Sequence, residues 1–446
     1  MSQHILILGA GRSASSLIQY LHRQANVEGW TLSVCEKNPE IGQQRSAEFP
    51  GIQLKDFDVL NDEEADPAFQ EADLVISMLP ASMHIHAAKR CATLGIHLIT
   101  ASYLTEAIEA LSSAFAEKGK LLLMEMGLDP GIDHMSAMNV LDTIKKEGHE
   151  LTGFETFTGG LLADNTEKDN PWQYKFTWNP RNVVMAGTGN VKFVQEGRYK
   201  YIPYQKLFSR TEVIHIPGHG YFEGYANRDS LKYLDLYNLR GIKTLYRGTL
   251  RRLGFCKTWN IFVQLGATDD TYAMEDVAQM THRQFINSFL SYNPHDSVEL
   301  KLAHYLNLGL ESEEMYRLKW LDLFSNELVG LKKGTPAQIL EHILKKKWTI
   351  DESDLDMIVM WHKFDFIENG RPKQIQSHMV AIGEDQVHTA MSKTVGLPMA
   401  IAAKRLLKGE LKLTGTQIPT KSDIYKPVLA ELQELGFDFQ ERETIS

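Results

Sequence analysis

Apolar and polar positions alternate in two styles along the first third of the chain. Short continuous apolar runs at 4–8, 31–35, 73–77, 96–100 and 120–124 fit strands buried on both faces. A shorter run near Ile52 fits one more. Stretches of helical spacing follow them, from residue 15 to about 24, at 83–94 and at 103–118. Strands alternating with helices predict a parallel sheet covered on both faces, a doubly wound α/β fold. From 151 to about 225 the pattern changes to short β-type runs at 154–158, 183–186, 191–195, 212–216 and 221–225. Gly159-Gly160, Asn179-Pro180 and Pro217-Gly218 punctuate them. Runs at 357–367 and 374–382 flank Asn369-Gly370, a hairpin signal. Between these sheet segments, 228–350 shows helical spacing without a repeat. Helices are expected again at 390–407 and 421–437, with a loose acidic tail from Asp438.

Two turns interrupt this pattern with unusual residues. The first follows the opening strand: Gly9-Ala10-Gly11-Arg12-Ser13-Ala14, a G-x-G-x-x-A run leading into a helix. Gly9 makes the tight turn, Gly11 admits a pyrophosphate close to the backbone, and Ala14 allows close helix–sheet packing. The helix N-terminus then faces the phosphate. The next strand ends in Glu36, 22 residues beyond Ala14, where a carboxylate accepts hydrogen bonds from an adenosine ribose. Such a group repels the extra phosphate of NADP, so the cradle leans to NAD, with Lys37 as a partial offset. Asp58 and Val59 fall where an adenine pocket is bordered, and Met78, Leu79 and Pro80, after the 73–77 strand, are expected on the cofactor. The second turn is Glu125-Met126-Gly127-Leu128-Asp129-Pro130-Gly131-Ile132-Asp133, between a buried strand and a helix. Carboxylates at such strand ends lie where open α/β sheets bind ligands, with Asp133 expected as the helix cap.

Bulk properties narrow the classes. A formal charge of −10 over 446 residues argues against nucleic acid or an anionic membrane as the main partner. No run of eighteen apolar residues suggests a membrane span, and Met1 to Leu8 lacks the features of a signal peptide. Cys35, Cys91 and Cys256 are too scattered for a disulfide frame or a zinc site, so no metal is expected and a reducing cytoplasm fits. His84 and His86 are too close together for a helix-face metal pair.

Taken in order, GAGRSA (9–14), DLVISMLP (73–80), ASYLTEA (101–107), EMGLDPGIDHM (125–135), YKFTWNPR (174–181), NRDS (227–230), YRGTLRRLGF (246–255), WLDLFS (320–325), KKGTP (332–336) and TAMSKTVGLPMAIAAKRLL (389–407) resemble the glutamate-forming saccharopine dehydrogenases, also called saccharopine reductases. The resemblance covers nearly the whole chain. It implies an NAD(P)-dependent oxidoreductase of lysine metabolism acting on a CH–NH bond and interconverting saccharopine with L-glutamate and 2-aminoadipate 6-semialdehyde. It also implies three parts: a Rossmann domain rejoined by the C-terminus (1–128 with 389–446), a mixed α+β sheet domain (129–227 with 351–388) and a helical insertion (228–350).

Several site residues come from the same resemblance. Ser102, Tyr103 and Asp129 are expected at the substrate, Asp129 and Tyr103 as candidates for the proton work. Leu128 and Pro130 are expected on the cofactor. Saccharopine carries three carboxylates, which guanidinium forks hold bidentately. Arg228 and Thr249-Leu250-Arg251 are the expected contacts, around a Gly248-Thr249 step where a helix was a candidate to begin. The surface alternative for Arg228 is an ion pair with Asp229 or Asp235, and Arg252 is assigned a structural role. Lys363 reads as a snorkelling lysine, with acid/base work as the alternative, and Ser392 and Thr394 as core positions, with the cofactor cleft as theirs. Two departures stand out. Thr158 replaces a cysteine the family commonly has before its glycine pair, and Glu36 contrasts with the NADP use of well-known relatives. Rival readings are a carboxynorspermidine dehydrogenase-like imine reductase and a non-catalytic dinucleotide-binding regulator. Oligomeric state is not legible, although members of the family often form homodimers.

Overall fold

A computed structural model describes residues 2–164 and 169–445. It divides into two compact units: Met1–Leu151 with Phe366–Lys373 and Met379–Ser446, and Thr152–Asp365 with Gln374–His378. Residues 129–151 therefore pack with the first unit, and 228–350 lies inside the second.

The first unit is built on His4–Leu8 (β1), Thr31–Cys35 (β2), Gln53–Lys55 (β3), Leu74–Ser77 (β4), His97–Thr100 (β5) and Leu121–Leu123 (β6), with Gly415–Gln417 added beside β6. The order Gly415–Gln417, β6, β5, β4, β1, β2, β3 is parallel throughout. Chain order reverses at β1/β4, so the C-terminal ends of these two strands flank the switch point where such sheets bind ligands. β1 and β4 are wholly buried, as their continuous apolar runs require. The returning helix Ala390–Leu407 packs on Ser15–Glu28. A Cβ at Gly396 would stand 3.0 Å from the Leu17 backbone nitrogen, so the lack of a side chain permits the approach. Ser392 Oγ accepts the Ser16 N–H at 3.0 Å, an otherwise unpaired donor in the first turn of that helix. Ser392 and Thr394 are both fully buried, the core positions expected.

A mixed sheet is built from Glu150–Leu162 (β7), Val191–Gln195 (β8), Arg198–Ile202 (β9), Thr211–Ile216 (β10), Gly220–Ala226 (β11), Thr244–Arg252 (β12), Asp356–Glu368 (β13) and Arg371–Ile382 (β14), with β8 to β12 wholly in the second unit. Its path is β10-β11-β12-β7-β13-β14 and then the tail strand Gln440–Ile445, with β8 paired on β12 and β9 on β8. The fold class expected from the pattern, a doubly wound domain rejoined by the C-terminus plus a mixed sheet with helices, is the one observed.

Local expectations needed correction. Residues 244–252 are not the start of a helix but a strand paired parallel to β7 and antiparallel to β11. The helix begins only at Phe255, after Gly254 at φ +85°. Residues 183–186 are not a strand, because Asn179 caps and Pro180 opens a short helix there. The 103–118 segment holds two short helices, Glu106–Glu109 and Ser112–Glu117, leaving Tyr103 in a loop. The tail is ordered: Gln440–Ile445 is a strand, and Glu443 pairs with Lys373. Among the described residues no helix is long and apolar enough to cross a membrane.

Candidate active site

The glycine turn sits at the switch point. Gly9, at φ +93°, donates its N–H to Cys35 O at 2.8 Å, and a Cβ there would meet Met78 O at 3.3 Å. Gly11 has nothing within 4 Å of a would-be Cβ, so the space in front of it is open to a ligand. Arg12-Ser13-Ala14 form a 3-10 turn leading into Ser15–Glu28. This backbone fits a pyrophosphate, held by the turn and the helix N-terminus. Beneath it, Arg45 is buried and donates to Ser15 Oγ at 2.6 Å, a support the sequence did not single out. Glu36 closes the far side: Oε2 accepts the Ala10 N–H at 2.8 Å and Oε1 accepts the Asn38 N–H at 2.9 Å. Lys37 is committed to Asp58 at 2.5 Å. Val59 is buried, and its carbonyl accepts from Arg90 at 3.1 Å. Met78 follows β4 directly, its N–H on Leu8 O, with Leu79 and Pro80 next.

Beyond β5 and β6 lies the second cluster. Gly131 has φ +147°, and any Cβ there would lie 2.0 Å from Gly127 O. That close approach ties 127 to 131 and projects Leu128-Asp129-Pro130 as a loop whose Asp129–Pro130 bond is cis. The helix is Ile132–Lys146 with Gly131 as its cap residue, so Asp133 is not the N-cap. It sits in the first turn, where its Oδ1 accepts the Gly131 N–H at 2.6 Å. Its carboxylate thus still serves the helix start, by reaching back two residues. Asp129 is half-buried and accepts the Tyr103 hydroxyl at 3.0 Å. Ser102 Oγ meets His84 Nε2 at 2.7 Å, and His84 Nδ1 meets Ser77 Oγ at 2.8 Å. Burial pushes the His84 imidazole down to about 4, so it is neutral near pH 7. Glu125, fully enclosed, reaches Leu104 N–H and His134. Glu125 stands among the turn's carboxylates in the sequence, but nothing in its spacing, or in that of His84 and His134, shows which polar groups meet.

Ser102, Tyr103 and Asp129 are thus brought together in the first unit, at strand ends next to the switch point. Arg228, Thr249, Leu250 and Arg251 belong to the second. Arg228 is exposed, at φ +49°, just past β11. Of the two acids named beside it, Asp229 pairs with Lys192 at 3.1 Å and Asp235 pairs with Arg240. Alternation along β12 puts Thr249 and Arg251 on one face and Leu250, fully buried, on the other. Arg251 is 4% exposed and lies 5.1 Å from the Tyr174 ring and 5.3 Å from that of Phe255. It donates to Leu250 O at 2.9 Å, and its Nε has no hydrogen-bond partner among the described residues. The Tyr174 hydroxyl has none either, and burial pushes that phenol up to about 12. Thr158, opposite Thr249, likewise leaves its Oγ1 unpartnered. Arg252 has the structural role expected, paired with Asp164. Lys363 does not merely snorkel; it pairs with buried Glu155 at 2.7 Å.

The saccharopine dehydrogenase NADP binding domain matches residues 5–123, and the saccharopine dehydrogenase C-terminal domain matches residues 127–437. The chain belongs to the saccharopine dehydrogenase family. The mitochondrial alpha-aminoadipic semialdehyde synthase of Rattus norvegicus is 33% identical over 99% of this chain but only 48% of its own length. The chain thus spans about half of that relative. Saccharopine dehydrogenase [NADP(+), L-glutamate-forming] of Saccharomyces cerevisiae is 28% identical over 97% of both chains. The solved apo structure of a histidine-tagged saccharopine dehydrogenase (L-Glu forming) from the same yeast superposes with a TM-score of 0.90, at 26% identity, over 99% of this chain and all of that one. The switch between the two family domains, at 123–127, falls on the strand end that leads into the Asp129 loop. A nicotinamide dinucleotide is therefore the cofactor class of the first unit.

Proposed function

We propose that this chain catalyses the interconversion of saccharopine with L-glutamate and 2-aminoadipate 6-semialdehyde. The observation that carries the reading is the Tyr103–Asp129 contact beside the glycine cradle, in a fold matched end to end by the glutamate-forming yeast enzyme. The bound dinucleotide supplies the hydride acceptor. The chain's own residues do the rest. Asp129 takes or anchors the proton of the substrate's secondary amine, and Tyr103 orients that carboxylate by donating to Oδ1. Once hydride has left the carbon next to nitrogen, water adds to the resulting imine. The adduct then breaks to the aldehyde and the amine of glutamate. Ser102, held by His84, presents a hydroxyl to the substrate. In the second unit we assign Arg251 and Arg228 to substrate carboxylates, with Thr249 beside them. A buried guanidinium with an unpartnered Nε gains most from such an anion. A carboxynorspermidine-type substrate offers fewer carboxylates and suits Arg251 less.

For the cofactor we infer NAD over NADP. A 2′-phosphate beside Glu36 would face a carboxylate already set by two backbone N–H groups, and the neighbouring Lys37 is neutralised by Asp58. The three buried thiols suit a reducing compartment such as the cytoplasm.

The test is turnover of saccharopine by the purified protein with each oxidised cofactor. Replacing Asp129 with Ala is expected to lower kcat by about 10²–10⁴-fold, with NADH affinity changed less than about threefold because the cradle is untouched. No turnover with either cofactor would overturn the assignment, and an unchanged kcat in D129A would remove Asp129 from the chemistry.

A further inference from the structure

Glu125 is 4% exposed, stands at φ +60°, and uses both carboxylate oxygens. Oε1 accepts the Leu104 N–H at 2.8 Å, while Oε2 meets His134 Nε2 at 2.7 Å. Its own N–H donates to Ser102 O at 3.1 Å. One residue therefore grips both neighbours of Tyr103, at 102 and at 104. On its other side, His134 is fully buried in the first turn of the helix that follows the Asp129 loop. The residue before it, Asp133, donates its N–H to Leu128 O at 3.0 Å, which ties that turn to the loop itself. Tyr103 and Asp129 thus rest on two segments, and the Glu125–His134 contact joins the two from beneath.

We propose that Glu125, backed by His134, is a positioning residue that sets the Tyr103 hydroxyl against Asp129. Glu125 is enclosed below the loop and touches neither reacting group. Core filling alone is a poor account of it. A buried carboxylate–imidazole contact costs desolvation that apolar residues of similar volume avoid, and a non-glycine residue in the left-handed region adds backbone strain. What those costs secure is orientation. Two backbone groups flanking Tyr103 are held by one residue, Ser102 O by its backbone N–H and Leu104 N–H by its carboxylate, whose other oxygen is fixed to the Asp129 helix through His134.

The turnover arms of the test rest on the activity proposed above. Glu125→Ala is expected to lower kcat about 10–100-fold, the scale of an ångström-sized misplacement, with the KM for NAD moved less than threefold. Glu125→Gln should recover part of the loss, because its amide oxygen still accepts from Leu104 N–H. Tyr103→Phe provides the cycle: if Glu125 acts through the phenol, E125A/Y103F is no slower than Y103F alone. Additive losses would overturn the proposal. Should E125A fail to fold, His134→Gln replaces it in the same cycle with the same expectation. A second readout does not depend on turnover. In a crystal structure of E125A, or of H134Q in its place, the Tyr103 hydroxyl should be parted from Asp129 Oδ1, and a contact unchanged at 3.0 Å would overturn the inference. A protein inactive on saccharopine but with a displaced phenol would sink the functional assignment and leave this one standing.

Discussion

His84 shows how one buried side chain serves two purposes. Its ring bridges Ser77 and Ser102, joining the ends of β4 and β5, and burial holds it neutral with its titration pushed down to about 4. An imidazole in the unfolded chain titrates near ~6.5. Between those two values the unfolded chain takes up a proton that the folded chain refuses, so stability falls as the pH drops through that window. Below about 4 both forms are protonated and the loss is complete, on the order of 3 kcal/mol for a shift of this size. His97, also pushed down to about 4 chiefly by burial, acts in the same direction, with its Nδ1 accepting the Leu121 N–H. Urea midpoints at pH 7.5 and pH 5 should differ clearly for the wild type and less for His84→Gln. An equal difference in both proteins would remove His84 from the acid response. The same scale explains what pattern alone could not decide. The turn at a strand end is legible from pattern and holds both Asp129 and Glu125, and it is the family resemblance that singles out Asp129. The role of Glu125 depends on Leu104 and His134 coming to it, and nothing in the linear order states that.

Elements are where local propensity and tertiary context disagreed. Helical spacing across 228–350 and the Gly248-Thr249 step predict a helix near Thr244–Arg252, where the structure has a strand. The strand forms because β7 and β11 flank it on both sides, and Gly248 lies against Phe157: a Cβ at 248 would stand 2.1 Å from that ring. The Asp129 loop is the opposite case, since Gly127, Pro130 and Gly131 announced the turn in advance. Only the exact start of the helix was missed, by two residues, as Asp133 reaches back to cap from within. Gly131→Ala is expected to destabilise by at least about 3 kcal/mol, combining a φ no other residue tolerates with a backbone clash. Gly29→Ala, at φ +72° with open space around it, should cost only about 1–2 kcal/mol. Thermal unfolding of the two variants side by side checks the ordering. Equal costs would mean that the 127–131 approach can relax.

For the whole molecule, the first unit and its ligand share one equilibrium. A dinucleotide that binds only the folded cradle stabilises it by about 2.7 kcal/mol at a hundred times its Kd. NADH should therefore raise the melting temperature more than NADPH at equal concentration, and Glu36→Ser should narrow or reverse that gap. A larger shift with NADPH for the wild type would overturn the NAD preference. The sequence by itself determined the alternation of buried strands and helices, the glycine cradle and the turn that projects Asp129. Those features depend on periodicity and on backbone conformations that only certain residues adopt, and both are written locally. The tertiary structure alone decided that 244–252 is a strand, that Arg251 is enclosed by aromatic rings, and that His84 and Glu125 grip Ser102–Leu104 from two sides. Such facts turn on which distant groups satisfy one another once water is excluded, and chain order does not encode that pairing in any local pattern.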